Sequence, residues 1–409
     1  HDRHGPYLAR IPLDEATWPQ AAVTLALPWP APAGGHHQSH RAVPAPEDGG
    51  DPLPQHNYHG IPLLRPRFWT LTNAVVPTGG FGALGVITDP LNTHTLVGSI
   101  GVGPVESEPV GLGSWSYRGW PIDIGVIAWR SEITYADEYR GTDGRDYDYT
   151  ETKDAAELLF GRGIAALDRD FFGFVRLGIA DWNEVDEAAE EYDGIAALGP
   201  PAFEGEERYV QVDLGYDDRF LFPDGYAPDA GVAALISLRH SGFDGELERN
   251  RALAAASGAI PIWRKGGHQL VVSGKLGTSD GDEFMQGNFS IGGAFGLGLP
   301  RGYIDRIATG NHLAGGSIAY RAALWRPFDG YGSSPLVNRQ LVLEIFADAA
   351  QVSNDQPIDP DADWYRSVGG LLYTTWEFYG TLLQPGLGVA QQLDGNEDTT
   401  FLLELGFRW

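Results

Sequence analysis

The sequence predicts an all-β chain: a transmembrane antiparallel β-barrel of about sixteen strands behind an irregular N-terminal arm. Three observations predict it. The 409 residues include 55 Gly, 12 Trp, 17 Tyr and 18 Phe, yet no apolar run of about 18 residues could form a spanning helix. From about Arg65 onward, segments of roughly ten residues alternate apolar with small or polar side chains, the period of a strand with two unlike faces. Acidic, irregular stretches then fall on every second connection. A mean hydropathy of -0.21 is ordinary for such a chain, because lipid-facing and lumen-facing residues cancel in the average. A soluble propeller shares this composition, so the strand pattern has to carry the assignment.

Residues 1–64 form the arm. They are rich in Pro, Gly and Ala (PWPAPAGGHHQSHRAVPAPEDGGDPLP) with no sustained period of 2 or 3.6, which reads as a periplasmic linker. One short run, 21–29, has the pattern of a single strand. Seven of the eleven histidines lie in this arm, with His36, His37 and His40 close together. That spacing is open to a metal, but a flexible His-rich linker is the expected reading. The chain begins at His1 without a charged-then-apolar leader; it is expected to be a processed protein or the later part of a longer one.

Residues 65–409 are the expected barrel domain. Strands are placed at 66–76, 79–88, 93–104, 108–118, 123–136, 152–165, 168–182, 206–217, 230–241, 251–262, 267–277, 312–325, 339–352, 365–377, 381–392 and 399–409. The acidic connections are 137–151, 183–205, 242–250, 279–284, 353–363 and 394–398, all on the face opposite the N-terminus; long outer loops and short periplasmic turns are the habit of outer-membrane barrels. One link, 218–229, is long and acidic on the short side. In the last strand, TFLLELGFRW, Phe401, Leu403, Leu405, Phe407 and Trp409 share one face, while Leu402, Glu404, Gly406 and Arg408 share the other. The first row is expected to meet lipid. Trp69, Trp115, Trp120, Trp129, Trp182, Trp325, Trp376 and Trp409 fall near strand ends and are assigned to interfacial girdles.

Charge and composition exclude several functions. A net charge of -27 argues against nucleic acid as a partner, since phosphate binding needs a basic footprint. With no cysteine there is neither a disulfide framework nor a thiolate metal site. His240, His268 and His312 are scattered, so no catalytic triad is expected. The acidic loops do not match a calcium-binding loop, and no cofactor or metal is expected.

The organising stretch runs from Phe289: FSIGGAFGLGLPRGYIDRIATGNHLAGGSIAYRAALWRPF, followed by RQLVLEIFADAAQ. In order it presents Gly292 and Gly293, then Arg301, Gly302 and Tyr303, then a strand with Asp348. This stretch resembles the C-terminal barrels of the BamA/TamA-type outer-membrane assembly superfamily, the bacterial surface antigen family. The resemblance implies that the Arg-Gly-aromatic tip folds into the lumen and that Arg301 pairs with Asp348. Independently, a guanidinium in a partly desolvated lumen needs an acid whose geometry suits its fork. Glu344 faces the same way as Asp348 by strand parity and is the substitute partner. Two departures mark this chain: Ala349 and Ala350 stand where the family has Gly, and Ala319-Tyr320-Arg321-Ala322-Ala323 replaces Glu-aromatic-Arg-x-Pro. The segment 58–72 (YHGIPLLRPRFWTLT) resembles the junction of hybrids that place a TolB-like propeller before a barrel.

The resemblance implies a non-enzymatic protein of the bacterial outer membrane, its N-terminus periplasmic, its surroundings lipid and lipopolysaccharide. The final strand, with Leu403, Leu405, Phe407 and Trp409, resembles the signal read by the barrel-assembly machinery. Three roles are expected from the resemblance: protein assembly or translocation, or membership of an envelope complex; anchorage of a periplasmic domain or partner subunit; or diffusion of small solutes. Assembly members of that family carry POTRA repeats, which sixty Pro-rich residues cannot form.

Overall fold

The computed structural model describes residues 60–72, 81–103, 108–140, 146–165, 169–184, 196–197, 202–219, 230–263, 267–292, 299–303, 307–326, 329–330, 336–378, 381–394 and 399–408. Residues 1–59 of the arm, with its His cluster, lie outside them.

Sixteen strands form one antiparallel meander. They are β1 (Arg65–Thr72), β2 (Phe81–Thr88), β3 (His94–Val102), β4 (Pro109–Tyr117), β5 (Asp123–Arg140), β6 (Asp146–Ala165), β7 (Asp170–Glu184), β9 (Gly205–Asp217), β10 (Gly231–Ser241), β11 (Arg249–Trp263), β12 (His268–Gly281), β15 (His312–Trp325), β17 (Leu336–Ser353), β18 (Tyr365–Phe378), β19 (Thr381–Gln392) and β20 (Thr399–Arg408). Four short segments accompany them: β8 (Ala196–Ala197) beside β5, β16 (Asp329–Gly330) beside β17, and β13 (Phe289–Ile291) paired with β14 (Ala308–Gly310). Each long strand pairs with the next long strand in the chain.

The period of two is visible in exposure. On β17, Val342, Glu344, Phe346, Asp348 and Ala350 are buried, whereas Ile345 between them is 54% exposed. On β20, Leu402 is buried between exposed Phe401 and Leu403. Directly opposed residues share a face, and the ladders join Asp348 to Ser317 and to Ser367. The enclosed face therefore mixes Glu, Asp, Arg and Ser with apolar Val342, Phe346, Leu371, Tyr373 and Leu402, and the outer face carries Ile, Leu, Val and Phe. On β11 the outer row runs Ala252, Ala254, Ala256, Gly258, Ile260, Ile262. Ten residue steps at about 3.3 Å, tilted by about 40°, cover about 25 Å, the height of a barrel's apolar band. At its lower edge the rings of Trp263, His268 and Tyr320 meet in sequence at tilted angles, with centroids 5.0 and 5.8 Å apart.

Three expectations need correction. The stretch 137–151 is largely strand, because β5 and β6 extend to 18 and 20 residues. Its acidic character conceals an aromatic pair: Tyr135 opposes Tyr149, with ring centroids 6.2 Å apart, and such a cross-strand pair supports a ladder in water. The connection between the expected strands 267–277 and 312–325 is not wholly irregular, since β12 continues to Gly281 and β13 pairs with β14. Finally, Trp129 and Trp182 are not girdle residues; Trp182 is buried with Ala155, Ala180 and Tyr209, and Trp129 packs against them. Their parity on β5 and β7 turns them inward. Trp69, Trp120 and Trp325 are exposed, as a girdle requires.

Candidate functional site

The site forms where the segment Leu299–Tyr303 meets the inner wall of β15, β17 and β18. Strand geometry sets out the wall. Glu344 and Asp348, four residues apart on β17, point inward together, and Ser317 of β15 lies opposite Asp348. Phe346 sits between the two acids on the same face.

Arg301 engages all four. Its Nε donates to Asp348 Oδ2 at 2.7 Å and its Nη2 to Asp348 Oδ1 at 2.9 Å, a bidentate fork. Its Nη1 donates to Glu344 Oε1 at 2.5 Å and Nη2 to Ser317 Oγ at 3.0 Å. The backbone N–H of Arg301 also donates to Asp348 Oδ2, at 3.1 Å. The guanidinium carbon lies 3.5 Å above the centre of the Phe346 ring, so one face is covered by an aromatic quadrupole. Both carboxylates are almost wholly enclosed, with side-chain exposures of 3% for Glu344 and 0% for Asp348. Glu344 is not merely a substitute for Asp348: it is engaged at the same time, and its second oxygen accepts from Arg321 Nε at 2.5 Å. Two carboxylates and two guanidiniums thus alternate in one chain, Arg321–Glu344–Arg301–Asp348. Arg321 supplies the fourth charge.

Gly302 has φ +94°, and a Cβ there would stand 2.6 Å from the Ala390 Cβ; only glycine fits both the dihedral and the space. Its carbonyl accepts from Gln392 Nε2 at 2.9 Å and Thr400 Oγ1 at 2.7 Å. Tyr303 is buried; its hydroxyl lies 2.9 Å from the Arg366 carbonyl and 2.5 Å from Asp394 Oδ2. Its ring meets Tyr365 edge-on at 5.8 Å. The tripeptide therefore touches β15, β17, β18, β19 and β20, a third of the wall. Sequence reasoning missed Ser317, Phe346, Gln392, Asp394 and Thr400. Only the inward parity of Ser317, Phe346 and Thr400 was available as a signal.

The remaining predicted residues are placed as follows. Gly292 follows β13 with φ +99°, whereas Gly293 lies outside the described residues. Leu403 is exposed on the outer face; Leu405 and Phe407 continue β20, and Trp409 is outside the described residues. A second buried polar cluster occupies β6 to β10. There Arg176 Nε lies 2.7 Å from Asp213 Oδ2, Tyr209 donates to Glu157 at 2.5 Å, and Arg239 to Glu207 at 2.5 Å. His240, His268 and His312 contact Asn250, Tyr320 and Thr278 respectively and do not converge. Among the described residues, no group of three or more His, Asp or Glu is arranged to hold a metal ion.

No protein-family model matches the chain, and no curated protein does. Solved structures do match. BamA from Haemophilus ducreyi lacking POTRA domains 1–3 aligns at TM-score 0.52 and 15% identity, over 83% of this chain and 67% of that one. CdiB from Acinetobacter baumannii aligns at 0.50 and 13% identity over 82% and 58% of the two chains. CdiB from Escherichia coli aligns at 0.54 and 12% identity over 81% and 61%. This chain therefore spans about six-tenths to two-thirds of those proteins. At such identities the likeness concerns the fold alone, a β-barrel like those of BamA and CdiB.

Proposed function

We propose that this chain is a non-enzymatic outer-membrane barrel that takes part in inserting or translocating proteins, with the Arg301 loop as the element occupying its lumen. The observation that carries the proposal is the fastening of Arg301 to Asp348 and Glu344 inside a barrel of this fold. An inward loop held by buried, charge-assisted bonds is a poor design for free diffusion and a suitable one for a lumen opened by a client or partner. The exposed apolar rows of the outer face support placement in lipid, because soluble monomers rarely show such a belt. The C-terminal strand, with Leu403 outward, is read as the segment recognised during barrel assembly, and the arm as periplasmic.

The test is depletion of the protein in its native cells, with quantification of outer-membrane and secreted proteins. The expected result is selective loss of a subset of them. An unchanged set, with a co-purifying periplasmic protein released from the membrane, would replace this reading with an anchor. Steady conductance of the purified barrel with its loop intact would replace it with a porin.

A further inference from the structure

The loop between β12 and β15 has a second attachment that the Arg301 contacts do not explain. Arg249, the first residue of β11, is 4% exposed. Its Nε donates to Ser279 Oγ and its Nη1 to the Asp282 carbonyl, both at 2.5 Å. Its Nη2 donates to Asn288 Oδ1 and to Asn311 Oδ1, both at 3.0 Å. The guanidinium carbon lies 4.9 Å from the centre of the Phe284 ring. One side chain thus binds the loop where it leaves the wall, at Asp282, where it enters the hairpin, at Asn288, and where it returns, at Asn311.

We infer that Arg249 is the positioning residue for the root of the lumen loop and holds that root independently of the Arg301 tip. The inference rests on the reading of the loop as a functional element of the lumen. Three features support it. The two arginines share no hydrogen-bond acceptor: Arg249 uses β12 and the loop itself, Arg301 uses β15 and β17. Their acceptors differ in kind, since all four acceptors of Arg249 are neutral oxygens whereas Arg301 depends on two carboxylates. The root also has further fastenings. Gln286 donates to Glu151 Oε2 at 2.5 Å and exchanges hydrogen bonds with the backbone of Phe203 at 2.9 and 3.0 Å. Phe289 and Ile291 pack with Ala350 and Val352 of β17. Interactions without shared partners act additively, so tip and root release separately. A change that neutralises Asp348 and Glu344 frees only the tip.

Two proteases read the two parts. Chymotrypsin cuts after Phe284 or Phe289, both buried in the root, and trypsin cuts after Arg301 in the tip. With fragments mapped by mass, Arg249→Ala is expected to raise cleavage at Phe284 and Phe289 by about tenfold or more while Arg301 stays protected. The pair Asp348→Asn with Glu344→Gln is expected to do the reverse. Heat-modifiable migration on gels reports whether each barrel is folded. Should Arg249→Ala fail to fold, Asn288→Ala with Asn311→Ala removes two acceptors and leaves the guanidinium on Ser279; root cleavage should rise by a smaller factor. Unchanged root cleavage in folded variants overturns the inference, as does simultaneous release of root and tip in either set. If the carboxylate variants leave Arg301 protected, the reading of the tip fails, and the role of Arg249 is still decided by cleavage at Phe284.

Discussion

Replacing Arg301 with Ala is expected to free the tip of the loop without unfolding the barrel. The substitution deletes four side-chain hydrogen bonds, two to Asp348, one to Glu344 and one to Ser317, and the contact with Phe346. The consequences for the two acids differ. Glu344 keeps Arg321, but Asp348, with a fully enclosed side chain, loses its guanidinium partner. Breaking a buried pair by removing one member costs about 3–5 kcal/mol, mostly the penalty of the stranded charge. Opening of the tip should then become more frequent by about two to four orders of magnitude. Hydrogen exchange of the peptide containing Gly302 and Tyr303, in detergent or liposomes, measures this directly. The stranded charge makes a sharper demand. Asp348→Asn added to Arg301→Ala should recover part of the loss, because the buried anion is gone. If exchange at Gly302 and Tyr303 is unchanged in Arg301→Ala, or if the double variant opens more readily than the single one, the reasoning about the buried pair is wrong.

Other substitutions probe neighbouring contacts. Gly302→Ala forces a side chain into φ +94° and against Ala390; the tip should lose about 1–3 kcal/mol and show faster exchange, while Ala390→Gly in the same chain relieves only the clash. Tyr303→Phe removes the hydroxyl contacts with Asp394 and the Arg366 carbonyl and should weaken the tip by about 1–3 kcal/mol, seen in the same exchange experiment. On the outer face, Ile345→Arg puts a charge at an exposed apolar position of β17 and should lower folding stability in liposomes by about 2–4 kcal/mol, measured by denaturant titration; a loss no larger than that of a surface change would argue against lipid contact there.

Much of the barrel was legible in the chain because a strand's alternation is local. Whether Ile345 and Leu403 face outward, or Glu344 and Asp348 inward, depends on a two-residue pleat and on what is tolerated at each face, and both are visible in a ten-residue window. The ends of the sixteen strands follow from turn-formers and acidic breaks, and this failed at 137–151, where in-register tyrosines outweigh acidity. The sequence also marked Arg301, Gly302, Tyr303, Asp348 and Glu344 as a group to examine. It could not say that Arg301 takes both acids together, that Arg321 extends the chain of charges through Glu344, that Tyr303 reaches Asp394, or that Arg249 gathers Ser279, Asp282, Asn288 and Asn311. Those contacts join residues separated by 23 to 91 positions. They exist only once each strand's register with its neighbour is set and the inward loop has a wall to meet. A pleat is decided between adjacent residues; a meeting across the lumen is decided by the whole sheet.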